Sequence, residues 1–317
     1  SVIQIGKGAF NECSSLKNIV IPSTITSFRD FLFNGCSSLA QIQIPSSVTE
    51  IGSYVFTLCS KLSEITIPSS VTIIKDSLFS GCLSLEKINI NSSITRICSY
   101  AFYQCSSLKN FEISSTTTTI GDFAFSKCSS LVEISIPSSV TETGISIFED
   151  CSSLKKVEIP SSILRIENSF FENCTSLSRI EIPSSVKTIG DQSFQNCSLL
   201  EEITIPSSVT TIGKKAFCGC YSLKKVSLSS SLVSIAAYCF YDCDKLEDVE
   251  FPDSLTAIGK FAFFKCASIK NITIPSSVSF IGENAFKYCS SLTQISIPSF
   301  LNPGNIGIGP NADIIFN

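Results

Sequence analysis

The chain has 317 residues, 44% of them hydrophobic and 16% charged, with a formal net charge of -4. So much apolar material excludes a disordered chain, and the acidic balance argues against the basic footprint of a nucleic-acid or anionic-membrane binder. His, Met and Trp are absent, which removes any Ser-His or Cys-His catalytic pair and any imidazole metal ligand.

No apolar run approaches the ~20 residues that a membrane helix needs. The missing Met is expected of a chain processed or cut from something longer, and no basic segment with a run of ~7–15 apolar residues opens it.

Residues 1–10 read as the second half of a repeat, with Val2, Ile5, Ala9 and Phe10 in place. From Cys13 to Cys289 a Cys then recurs every 23 residues without insertion or deletion, so thirteen of the 16 cysteines belong to one repeat. Such a period calls for a stacked array. A Phe stands three residues before each of these cysteines, and a Leu three after, with Ile269 the single substitute. Apolar residues follow at +6 and +8, usually Pro at +9, an aliphatic at +12 except for Thr117, and mostly Ile at +15, often with Gly next.

Within the unit, Leu-x-x-Ile-x-Ile-Pro, as at 62–68, alternates with period 2 and predicts a strand that the Pro ends. Ser-Val-Thr-x-Ile-Gly predicts a shorter second strand or extended corner, with Gly permitting a positive φ at the bend. The remaining x-x-Ala-Phe-x-x-Cys has apolar residues three apart, enough for one turn of 3₁₀ or α-helix. One unit is one circuit of a solenoid, and no circuit buries its own apolar face, so stability comes from stacking on neighbours. The expected organisation is a single domain over 1–301. Residues 302–317, where Phe and Cys fail to return, form a C-terminal cap or the start of a linker.

The pattern Leu-x-x-Ile-x-Ile-Pro-Ser-Ser-Val-Thr-x-Ile-Gly-x-x-Ala-Phe-x-x-Cys, as in 62–82 and 200–220, resembles the BspA-type (Treponema pallidum-type) leucine-rich repeat. The resemblance implies an α/β solenoid, mostly β: a right-handed, curved array whose longer strands form a concave parallel sheet, with short second strands or helical turns. It also implies a cell-surface or secreted protein that adheres to host matrix proteins or other cells. Asn91, Ser114 and Ser229 depart from the pattern in place of Pro, and Thr117 and Thr143 in place of aliphatics.

Three constellations invite a functional reading. The cysteine column is expected to be a ladder of buried thiols, because neighbours point the same way and thirteen cannot pair completely. The extra cysteines are Cys98, Cys218 and Cys239; the spacing around Cys218 and Cys239 is not that of a zinc knuckle. Cys98, at the corner usually held by Gly, is expected among the first thiols to react. On the outward face of the longer strands, Lys156, Glu158, Arg179, Glu181, Glu202, Lys225, Asp248 and Glu250 read either as self-compensating charges or as a ligand footprint. Aromatics two residues before the Phe column, such as Phe31 and Tyr54 or Tyr100 and Phe123, read as rung-to-rung stacks. Around Tyr221, Tyr238, Tyr241, Phe261 and Phe264 they read alternatively as a binding patch.

Asn-x-Ser/Thr sequons at Asn91, Asn173, Asn196 and Asn271 are about as many as chance gives for this composition. Nucleotide-binding glycines, paired catalytic carboxylates and metal-binding loops are not visible, so neither catalytic residues nor a cofactor or metal is expected. The functional expectation is a surface or secreted module that binds a protein ligand, such as a host matrix or cell-surface protein, with no nucleic acid and no membrane insertion. The alternative is an intracellular, cytoplasmic scaffold or regulatory subunit, which suits sixteen unpaired thiols.

Overall fold

A computed structural model describes residues 2–90 and 94–317. The departure and sequon at Asn91 therefore lie outside the described residues. The residues group into two units, 1–162 and 163–317, and both are stacks of the same 23-residue circuit. The architecture is a mostly-β parallel solenoid with almost no helix.

The shorter strands give the more continuous ladder. In the second unit, Arg165–Ile166, Thr188–Ile189, Thr211–Ile212, Ser234–Ile235, Ala257–Ile258 and Phe280–Ile281 form one six-stranded parallel sheet. In the first unit the corresponding pairs form a four-stranded sheet from Ile73–Ile74 to Glu142–Thr143 and a two-stranded one at Ser27–Phe28 and Glu50–Ile51. The longer strands pair in the expected register, as with Glu64–Ile67 on Lys87–Ile90 and Glu202–Thr204 on Lys225–Ser227, yet their ladder is interrupted. In the second unit it splits into two groups of three strands. One break follows the strand beside Phe251, which takes a position held elsewhere by Ile or Leu and packs edge-on against Phe263 at 5.6 Å. That size argument does not extend to residues 179–182, which form no strand and carry Ile at both inward positions.

Side chains alternate along these strands as the period-2 pattern requires: Glu64 and Thr66 are exposed while Ile65 and Ile67 are buried. The core holds the Phe, Cys and Leu columns. Phe rings stack from rung to rung, with centroids 5.2 to 5.8 Å apart in the first unit and 5.2 to 5.5 Å in the second. None of the 16 cysteines is joined in a disulfide. Column thiols donate to the carbonyl of the Phe 26 residues earlier, as in Cys59 Sγ to Phe33 O at 3.2 Å and Cys243 Sγ to Phe217 O at 3.2 Å.

Two details of the repeat differ from the sequence reading. The Ala-Phe-x-x-Cys corner is not helical: it is a run of turns, and among the described residues the only helix is the 3₁₀ turn Pro303–Asn305. At this corner every second N–H points to the next rung, as in Gln192 N to Lys214 O, Phe194 N to Ala216 O and Asn196 N to Cys218 O, each 2.8 Å. A helical turn would direct those donors along its own axis and leave the neighbouring carbonyls unpaired. The backbone manages this by entering the left-handed region twice per corner, five residues and one residue before each Cys, as at Gln192 (φ 58°) and Asn196 (φ 58°) or Tyr238 (φ 60°) and Asp242 (φ 63°).

The second difference concerns the corner glycines at 52, 121, 190, 213, 259 and 282, none of which has a positive φ. They are needed for close approach instead. A Cβ on Gly213 would lie 2.4 Å from the Asp191 amide nitrogen, and one on Gly259 2.5 Å from that of Ala237.

The departures from the pattern are absorbed locally. Thr117 is fully buried, and its hydroxyl donates to Ile94 O at 2.8 Å. At Ser114 and Ser229 the turn closes without Pro, through Thr117 N to Ser114 O at 2.9 Å and Leu232 N to Ser229 O at 3.1 Å. Thr143 pairs with Ile120 in the short-strand sheet. Past the repeats, Asn302 caps the 3₁₀ turn through Gly304 N, Ile306 is buried, and Asp313–Phe316 adds a strand parallel to Gln294–Ile297.

Candidate functional site

The eight charged residues on the long-strand face fall in both units. In the first, Lys156 and Glu158 leave the same side of one strand because they are two residues apart, and Lys156 Nζ lies 2.8 Å from Glu158 Oε1. Hydrogen bonds from Lys156 and Ser135 hold the Glu158 carboxyl below the usual carboxylate range. In the second unit, Glu202, Lys225 and Asp248 are successive partners across three parallel strands. Arg179 reaches Glu202 at 3.9 Å, whereas Lys225 and Asp248 form no ion pair within 4 Å among the described residues. Glu181 and Glu250 are exposed beside them. The sheet thus brings opposite charges together, and part of the face is spent on self-compensation.

The aromatic group is more tightly assembled. Tyr238 stacks on Phe261 at 5.0 Å and Tyr241 on Phe264 at 4.8 Å, with interplanar angles of 15° and 1°. Cross-contacts at 5.7 and 5.6 Å join the two stacks into a block of four half-exposed rings. Tyr221 makes no ring contact with them among the described residues; it is 43% exposed, and burial together with the Asp242 carboxylate pushes its phenol up from the usual range. Sequence reasoning missed Tyr288, which meets Phe264 edge-on at 5.0 Å and is 61% exposed. Its signal was the repeat register, which puts it one residue before a column Cys and beside the column of Tyr241 and Phe264. Lys260 and Lys287 lie over the Tyr238 and Tyr288 rings at 5.9 and 5.2 Å, adding cationic edges to the block.

The other expected stacks form as well, Phe31 on Tyr54 at 4.7 Å and Tyr100 on Phe123 at 4.8 Å. Column thiols from Cys36 onward are buried, and burial pushes Cys59 and Cys128 up to about 12. Cys98 is half-buried, with its thiol also pushed up by burial and by Asp76. Cys13 is the exposed one and the thiol most open to reagents, with Cys98 and Cys218 next in exposure. Among the described residues no group of three or more Cys, Asp or Glu is placed to hold a metal ion, and no helix is long and apolar enough to cross a membrane. The Asn196 sequon amide donates to Asn173 Oδ1 at 2.9 Å, so both are engaged in a rung-to-rung ladder.

Comparison with known proteins gives a consistent result. The family model for the BspA type leucine rich repeat region matches residues 1–109, 95–224 and 210–307. A leucine rich cell surface protein from Faecalibacterium prausnitzii is 28% identical over 86% of this chain and 77% of its own, with a TM-score of 0.58. A leucine-rich repeat protein from Bacteroides ovatus is 27% identical over 85% of this chain and 88% of its own, with a TM-score of 0.52. The pneumococcal vaccine antigen PcpA shares the fold at 23% identity, over 80% of this chain and 77% of its own, with a TM-score of 0.52. No curated protein matches. With the 23-residue circuit, its Phe, Cys and Leu columns and a family match over nearly the whole length, the chain belongs to the BspA-type leucine-rich repeat family.

Proposed function

We propose that this chain is the protein-binding part of a cell-surface or secreted protein, and that it binds its ligand, a matrix or cell-surface protein, through the aromatic block around Tyr238, Tyr241, Phe261, Phe264 and Tyr288. Leucine-rich repeats are protein-interaction modules, and the surface assignment draws on the similarity to a cell surface protein of F. prausnitzii. The observation that carries the footprint is the block itself: rings held 4.8 to 5.7 Å apart yet open to solvent. Stacking fixes their rotamers before a ligand arrives, so little entropy is lost on docking, and Tyr and Phe supply large contact areas.

The test has two arms. A membrane-impermeant label on intact producing cells should modify the chain; a chain found only inside the cells overturns the surface reading and favours an intracellular scaffold. Binding to a panel of immobilised matrix proteins should weaken tenfold or more, about 1.4 kcal/mol, when Tyr238, Tyr241 and Phe264 are all changed to Ser. Reversing Arg179 and Lys225 to Glu should leave it within a factor of two. The opposite pattern moves the footprint to the charged face.

A further inference from the structure

The first unit contains an opening that none of the repeat columns accounts for. Where other rungs place Ile or Val at the first inward strand position, this rung has Phe111. Its ring enters the space beside the Phe column, with centroids 4.8 Å from Phe102 and 5.1 Å from Phe125. A larger side chain in a close-packed column forces its neighbours apart. Residues 110–113 keep one parallel bridge, Asn110 to Glu133, and among the described residues no backbone hydrogen bond ties them to 86–90. The ladder resumes at Glu133–Ser135 and Lys156–Glu158.

The parting leaves a cleft of about 540 Å³, a volume in the range of ligand-binding pockets. Its floor is apolar, built from Ile88, Phe111 and Ile134, and its wall carries Glu112, Glu133 and Glu158 with Lys156 as the one cation. Lys156 is already held by Glu158 at 2.8 Å. Glu112 and Glu133 have no ion pair among the described residues, so the cleft keeps a net negative charge above an apolar base. An occupant that matches both features has an aliphatic stem and a cationic end.

From this geometry we infer that the cleft binds an arginine or lysine side chain presented by a segment of a partner polypeptide, the stem lying on Phe111 and the cation between Glu112 and Glu133. The inference rests on the reading of the chain as a protein-binding module but concerns a surface in the other unit from the aromatic block.

The probe is a blocked pentapeptide with a central Arg, titrated into the full chain by isotope-edited NMR, with the same peptide carrying Glu as control. The Arg peptide is expected to shift the amide signals of residues 110–113 and 133–135 saturably, and the Glu peptide is not. Glu112→Gln with Glu133→Gln should weaken binding tenfold or more. Phe111→Ile restores the usual residue, closes the cleft without endangering the fold, and should abolish the shifts. Binding that survives these changes, or a Glu peptide that binds as well, overturns the assignment. Saturable binding of free spermidine as tight as that of the Arg peptide also overturns it, because a small polycation would then be the occupant. Changing Tyr238, Tyr241 and Phe264 to Ser should not affect the peptide titration. Failure of the Arg peptide to bind the unaltered chain, with matrix-protein binding intact, therefore fails the cleft and spares the broader function.

Discussion

In the second unit the two sides of the repeat obey different rules. The short-strand sheet runs unbroken through six rungs, while the long-strand side breaks into two groups of three strands. The Phe and Cys columns behind the turn corner vary in no rung, whereas the outward long-strand positions hold Glu202, Lys225 and Asp248 in succession. In these two columns every side chain between the end rungs meets a copy of itself above and below, so a change is felt twice. On the long-strand face each residue meets water on one side, so its identity is free to vary and is available for recognition.

The largest expected effect tests the buried side by pH. Burial raises the column thiols, taking Cys59 and Cys128 up to about 12 from an ordinary value of 9.0. Above about pH 9 an unfolded thiol loses its proton while the folded one keeps it, so the folded state binds more protons and stability falls as pH rises. The contribution is complete below pH 9 and is lost progressively up to about pH 12. Each such fully buried thiol removes up to about 1.4 kcal/mol per pH unit in that window, and buried column thiols recur from Cys36 to Cys289. Urea unfolding between pH 7 and 11 should show a steep loss of stability beginning near pH 9. A flat profile to pH 11 would contradict a buried, protonated column.

Phe217→Ala is the next largest. The ring is fully buried and stacks at 5.2 and 5.4 Å on Phe194 and Phe240, so its removal should cost about 3–5 kcal/mol. Because each repeat leans only on its neighbours, hydrogen exchange should rise around 194–240 before more distant rungs respond. Thr204→Ala on the long-strand face should change stability by less than about 0.5 kcal/mol. Equal costs at the two sites would erase the contrast.

The smallest effect sharpens it. Gln104 is exposed and sits at φ 61°, a conformation that costs a non-Gly residue roughly 1–2 kcal/mol. Gln104→Gly should therefore stabilise the protein by about 0.5–1 kcal/mol, read as a higher urea midpoint with unchanged slope. Destabilisation would mean that the side chain there makes a contribution its backbone conformation hides.

These left-handed positions also mark where the sequence was opaque. The columns were legible because a residue stacked on itself must recur, and Phe10, Phe33 and their successors do. The left-handed sites hold Tyr, Phe, Ser, Lys, Gln and Asn as readily as Gly, since what fixes them is an inter-rung hydrogen bond made by the backbone, which any residue except Pro can donate. The glycines that do recur, such as Gly213, answer to a neighbour's backbone and not to their own torsion. Of the candidate sites, the stacked aromatics followed from the repeat register. The cleft did not, although Phe111 in an aliphatic column was its one visible sign.

The thiol bonds have a consequence for how such a chain changes length. Cys59 Sγ reaches Phe33 O and Cys82 Sγ reaches Phe56 O, both across 26 residues of chain, three more than the repeat. The donor of one copy thus always finds its acceptor in the copy before it, and no 23-residue segment is complete by itself. Duplication or loss of a 23-residue block, cut at any phase, restores every donor to an acceptor, while a gain of 22 or 24 residues puts a polar corner where a Phe must stack. Length in this protein is therefore quantised, and a genetic unit need not coincide with any structural boundary.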